Sequence, residues 1–150
     1  MRSSIFRKTT NSEGLPVSDG ETQDDMPVRA IVAGHGTFAS GIISAVDQIS
    51  GRGAHFRAIS NHGLCLEDIQ GTLHKALDET GARVIFTDLP AGSCTMAVRR
   101  LLRDRPGIAL VTGVNLSLLL DFAMQDTVDP AEAAKSALER GKQSMVVHGV

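Results

Sequence analysis

Residues 28–51 read VRAIVAGHGTFASGIISAVDQISG. The stretch opens with a short apolar run, Val28–Ala33, that ends in Gly34-His35-Gly36. Such a run reads as a buried strand entering a turn. Phe38, Ile42, Ala45, Val46 and Ile49 follow at helical spacing, and Gly51 stops them. The chain therefore begins its folded part with a strand, a tight glycine turn and an amphipathic helix.

The same alternation continues downstream. Ala54–Ile59 reads as a weaker strand, with apolar and polar residues mixed. Leu66, Ile69, Leu73, Ala76 and Leu77 give a second helix, closed by Gly81. Arg83–Leu89 is rich in β-branched residues and reads as a third strand. Pro90-Ala91-Gly92-Ser93 turns the chain into a third helix with Ala97, Val98, Leu101 and Leu102 on its apolar face. Pro106-Gly107 breaks that helix, and Ile108–Val114 is a fourth strand. Two helices are expected near 116–125 and 130–147, the second signalled by Asp129-Pro130. Near-continuous apolar strands between helices predict an α/β fold with an open, mostly parallel four-stranded sheet covered on both faces. Right-handed crossovers follow from chain chirality. The expected strand order is 2-1-3-4.

Composition bounds the function. The chain has 150 residues, 42 % of them hydrophobic, and a formal net charge of −2. No electrostatic case for nucleic acid or an anionic membrane follows. No apolar run reaches the 18 or so residues of a membrane span, and the N-terminus lacks the apolar region of a secretory signal. Two cysteines, Cys65 and Cys94, are too few for a disulfide scaffold. The expected compartment is the cytoplasm, with both thiols reduced. Residues 1–27 hold three positive and five negative charges and few apolar residues, so they read as a disordered tail before a domain at 28–150.

Open α/β sheets bind ligands beyond the carboxyl ends of their strands, where the strand order reverses. If the first and third strands are neighbours there, His35 and Asp88 face one crevice. Each strand exit also opens a helix, whose first N–H groups lack partners and carry partial positive charge. Gly36 and Gly92 leave room for an anion, and Thr37 and Ser93 add hydroxyl donors. A neutral imidazole with one nitrogen fixed by a carboxylate is a nucleophile at the other. These parts suit a histidine that carries a phosphoryl group.

Three segments resemble the mannose-type enzyme IIA domain of the bacterial phosphoenolpyruvate:sugar phosphotransferase system. They are IVAGHGTFASGI (31–42), VIFTDLPAGSCTMAVRRL (84–101) and VTGVNLSLLLDFAM (111–124). The likeness runs in order over about residues 28–147. It implies a reversible relay without a cofactor or metal. The small phosphocarrier HPr would donate to His35, which would pass the group to an enzyme IIB or, in a regulatory relay without transport, to another target. Asp88 matches the aspartate that orients the histidine, and Ser93 the hydroxyl near the phosphate. The family is usually homodimeric and meets the membrane only through a permease complex. Two departures stand out: Pro90-Ala91-Gly92 replaces a glycine pair, and Cys94 replaces a common proline.

The same residues also fit other motifs in part. Gly34-His35-Gly36-Thr37-Phe38-Ala39 fits a dinucleotide-binding fingerprint, which needs an acid about 20 positions on. Ile59-Ser60-Asn61-His62 has none there. The Gly-His-Gly turn is also similar to that of tetrapyrrole metal chelatases, but His62, Cys65 and His74 make a poor ligand set. Arg99, Arg100, Arg103 and Arg105 read as a solvated helix face. Cys94, at a helix start, is placed where a thiol pKa can fall. Cys65 is expected to be buried, and Met96, Met124 and Met145 to fill the core.

Overall fold

The computed structural model describes residues 26–150, so nearly all of the expected tail lies outside the described residues. Four strands form the sheet: β1 (Ala30–Gly34), β2 (Phe56–Ser60), β3 (Val84–Thr87) and β4 (Ala109–Thr112). All pairs are parallel, as the alternation predicts, and the order is β2-β1-β3-β4, the order expected. Five helices connect and follow them: α1 (Phe38–Ser50), α2 (Leu66–Thr80), α3 (Ser93–Asp104), α4 (Leu116–Met124) and α5 (Pro130–Gln143). Among the described residues, no helix is long and apolar enough to cross a membrane.

The period of two along a strand divides the core. Ala30 and Val32 of β1, with Val84 and Phe86 of β3, face a cluster built with α1, α4 and α5. Ile31 and Ala33, with Ile85, face the other cluster, built with α2 and α3. Central strands β1 and β3 are buried at every position. Their sequences are therefore apolar on both faces, which is why no alternation marks them. Phe56, Phe86 and Phe122 meet in the first cluster, with Phe86 and Phe122 edge-to-face at 5.0 Å between ring centroids.

Helix ends follow the punctuation of the sequence. Gly51 and Gly81 adopt left-handed φ of 69° and close α1 and α2. Asp129 accepts from the backbone N–H groups of Ala131 and Glu132 and starts α5, with Pro130 at its first position. Asn115 accepts from Leu118 N–H to start α4, and its amide donates to Gly141 O of α5 at 2.9 Å. Arg29 serves the other end of α4. Its guanidinium donates to the carbonyls of Phe122, Gln125 and Val128 and lies 4.7 Å from the Phe122 ring centroid.

Several boundaries differ from the sequence reading: β3 and β4 are shorter than the runs 83–89 and 108–114, and β1 starts at Ala30 and runs to Gly34. Gly53–His55 form a 3₁₀ turn, and β2 starts only at Phe56. His55 is buried there, with its ring Nδ1 against Pro27 O at 3.2 Å. Helix α5 ends at Gln143, where the Ser144 hydroxyl bonds Gly141 O, so residues 144–147 are not helical. Burial differs too. Met96, Met124 and Met145 are exposed rather than core, because apolar character alone does not say which helix face a residue occupies.

The α4–α5 seam gives a test. A Cβ at Gly141 would stand 2.8 Å from Leu118 Cβ. Alanine gains about 1 kcal/mol of helix propensity over glycine, whereas overpacking a rigid contact costs about 1–3 kcal/mol. Gly141→Ala should therefore lower the urea midpoint, and a raised midpoint would mean the two helices are not so closely seated.

Candidate functional site

Parallel register sets the site. Ala33 pairs with Thr87 across β1 and β3, so the residues that leave these strands, Gly34-His35 and Asp88, emerge side by side. One carboxylate oxygen then does two things. Asp88 Oδ2 accepts from the His35 backbone N–H at 2.9 Å and lies 2.7 Å from His35 Nδ1. The first bond holds the loop and the second holds the ring. With Nδ1 carrying the hydrogen toward Asp88, Nε2 keeps its lone pair. The His35 side chain is 50 % exposed and that of Asp88 only 11 %, so the anchor is sheltered and the ring reaches solvent.

Burial pushes the Asp88 carboxyl up. The His35 N–H, the His35 ring and the Leu89 N–H push it down further, and the net position lies below the ordinary carboxylate value. The approach of Asp88 depends on a missing side chain. A Cβ on Gly34 would meet Phe38 Cδ1 at 2.7 Å and Asp88 Oδ2 at 3.0 Å. The turn after β3 is braced from within: Thr87 and Thr95 hydroxyls lie 2.8 Å apart, and both reach Leu89 O.

Of the anion-binding candidates, Gly92 lies beside the ring. Gly36 takes a φ of 53°, which glycine adopts without steric cost. Thr37 precedes α1 and is exposed, and its hydroxyl does not cap that helix. Gly92 precedes α3, and a Cβ there would lie 3.5 Å from His35 Cε1, the ring carbon between the two nitrogens. Ser93 opens α3 and accepts from Asn61 Nδ2 at 2.8 Å. Pro90 and Ala91 fit the turn without a positive φ. Neither Asn61 nor Ser60, whose hydroxyl donates to Gly36 O at 2.8 Å, was singled out in the sequence as a site residue. The one signal was that Ser60 ends β2 and Asn61 follows it, at the same sheet end as His35.

The cysteines depart from expectation. Cys94 is buried, and burial with the nearby Asp88 charge pushes its thiol up to about 11. Loss of hydration outweighs the helix start, so no reactive thiolate forms at neutral pH. Cys65 is exposed instead of buried, and its Sγ donates to Asp68 Oδ2 at 3.1 Å. Arg99, Arg100 and Arg103 are exposed as expected, while Arg105 pairs with Asp78 at the foot of α3.

An open parallel sheet with an acid-held imidazole at its switch point defines the class: an α/β protein whose candidate site lies at the carboxyl ends of β1 and β3. The model of the mannose-type enzyme IIA family, described as the fructose IIA component of the phosphotransferase system, matches residues 29–139. The chain belongs to that family. Solved structures share the fold. The mannose/sorbose-specific IIA subunit from Enterococcus faecalis is 19 % identical with a TM-score of 0.70, covering 83 % of this chain and 97 % of its own. The phosphotransferase component EIIA from Streptococcus agalactiae is 21 % identical with a TM-score of 0.73, covering 79 % and 95 %. The IIA protein associated with the fucose utilization operon of Streptococcus pneumoniae is 21 % identical with a TM-score of 0.69, covering 79 % and 91 %. None of the curated proteins matches the sequence.

Two predictions follow from the geometry. A carboxyl lowered in the folded state stabilises the fold above its unfolded value, near 3.8, and loses that contribution as pH falls through the lower native value. Asp88→Asn should therefore lose less stability than wild type between pH 6 and pH 2, read from urea midpoints; equal losses would deny Asp88 this role. At pH 8, a thiol-specific chromogenic reagent should titrate Cys65 quickly and Cys94 only after denaturation. Rapid modification of both in the native protein would show Cys94 to be accessible.

Proposed function

We propose that this protein is a phosphohistidine carrier whose acceptor atom is His35 Nε2. The observation that supports this reading most is the pairing of Asp88 Oδ2 with both the backbone and Nδ1 of His35, while the ring stays half exposed. A protein donor can reach such a ring.

Group transfer is simple in its bonds. The Nε2 lone pair attacks phosphorus of a phosphohistidine on HPr. The donor P–N bond breaks and its electron pair returns to the donor imidazole. Nδ1–H remains on His35, so the phosphorylated ring is cationic, and the Asp88 carboxylate beside it offsets that charge. Charge-assisted bonds of this kind contribute about 1.5–3 kcal/mol. Gly36, Thr37, Gly92 and Ser93 line the space where the phosphoryl oxygens would lie, and the α1 and α3 starts add unpaired N–H groups. The same steps in reverse deliver the group to an enzyme IIB. The relay operates in the cytoplasm, as a homodimer in keeping with the family resemblance, and Asp88 acts through the histidine rather than on phosphorus.

The test is phosphorylation with enzyme I, HPr and phosphoenolpyruvate. Wild type should take an acid-labile, base-stable label, and His35→Ala should take none. Asp88→Asn should fold and label roughly 10- to 100-fold more slowly, the equivalent of one charge-assisted bond. Full labelling of His35→Ala would place the acceptor elsewhere.

A further inference from the structure

We infer that Asn61 is a positioning residue for phosphoryl transfer, acting by orienting the Ser93 hydroxyl toward the phosphoryl group on His35. The inference rests on the carrier reading above and names a residue that reading does not need.

Asn61 is the first residue beyond β2, and its backbone is fixed at both ends. Its N–H donates to Gly34 O at 3.1 Å, and its carbonyl accepts from Leu64 N–H at 3.1 Å. The preceding Ser60 ties the same loop to Gly36 O. The β2 exit is thus sewn to the residues on either side of His35. From that fixed position the Asn61 amide nitrogen donates to Ser93 Oγ at 2.8 Å.

The consequence lies in donor and acceptor roles. An amide nitrogen only donates, so it occupies a lone pair of Ser93 Oγ and leaves the hydroxyl hydrogen to be given elsewhere. The Ser93 hydroxyl also bonds the neighbouring Cys94 sulfur, but a thiol sulfur is a weak acceptor, and that contact yields to a stronger one. An anionic oxygen beside Gly92 and the His35 ring is a far better acceptor. Before transfer the hydroxyl can serve water; afterwards it serves the phosphoryl group. Asparagine, rather than aspartate, matters here. A carboxylate at 61 would accept the Ser93 hydrogen and set a like charge against the incoming phosphoryl.

A purely structural role for Asn61 predicts a different pattern, so a double-mutant cycle separates the two. The full chain is phosphorylated with the enzyme I and HPr relay and, separately, with phosphoramidate as a small chemical donor. Initial labelling rates and the ³¹P chemical shift of phospho-His35 are recorded. Ser93→Ala should slow labelling about tenfold and move the ³¹P signal. Asn61→Ala should slow it by a smaller factor, yet by less than about twofold in the Ser93→Ala background, because its only route is through that hydroxyl. Ser93→Thr should retain the wild-type response to Asn61→Ala. The near-isosteric Asn61→Asp should be slower than Asn61→Ala with an unchanged thermal midpoint. Equal slowing by Asn61→Ala in both backgrounds, or wild-type labelling of Asn61→Asp, would overturn the inference. Failure of wild type to label with either donor would instead overturn the carrier reading itself.

Discussion

One carboxylate oxygen carries two bonds from the same residue, and the site depends on that. Asp88 Oδ2 holds the His35 backbone N–H and the His35 ring nitrogen together. A carboxylate bonded only to the ring would leave the loop free to swing. One bonded only to the backbone would leave the ring free to rotate and change tautomer. Both bonds require the oxygen to sit close against Gly34, where any Cβ would collide with it and with Phe38. The parallel β1–β3 pairing supplies the rest, because it brings two strand exits from distant parts of the sequence to one point. The register of buried apolar strands decides where the half-exposed His35 ring stands.

The molecule grades from rigid to accessible across a short distance. β1 and β3 are buried throughout, Asp88 is mostly sheltered, and the His35 ring stands half in solvent. Braces of modest individual strength fix this gradient. Thr87 and Thr95 hold the Leu89 carbonyl, and Ser60 and Asn61 hold the carbonyls of Gly36 and Gly34. Each such neutral bond contributes about 1 kcal/mol net. Their joint effect is geometric, since they keep the β1, β2 and β3 exits in one arrangement. On the other side of the sheet the concern is cohesion. Arg29 gathers three carbonyls at the end of α4, and Asn115 links the start of α4 to the end of α5.

Much of this was legible in the sequence because it is local or periodic. Apolar runs marked the central strands, Gly51 and Gly81 marked helix ends, and Asp129-Pro130 marked the start of α5. The approach of His35 and Asp88 was legible through one topological inference, the adjacency of the first and third strands. What escaped is non-local or depends on helix phase. Asn61 and Ser93 lie 32 residues apart and meet only once the loop after β2 is placed against α3. Arg29 precedes a strand in sequence, yet its partners lie more than 90 residues away. Cys65 was read as buried from its residue type, whereas its place at the start of α2 leaves it in solvent. Cys94 shows competition between two effects at one position: the helix start favours a thiolate, burial and Asp88 oppose it, and opposition prevails.

One hydrogen and one lone pair on the His35 ring decide the chemistry proposed for this site. Long-range ¹H–¹⁵N correlation of the His35 imidazole in ¹⁵N-labelled protein, before and after phosphorylation, reads both directly. Nδ1 should carry the hydrogen in both states, and Nε2 should be bare before transfer and coupled to phosphorus after it. A ring protonated at Nε2 in the resting protein, or phosphorus bound at Nδ1, would contradict the account.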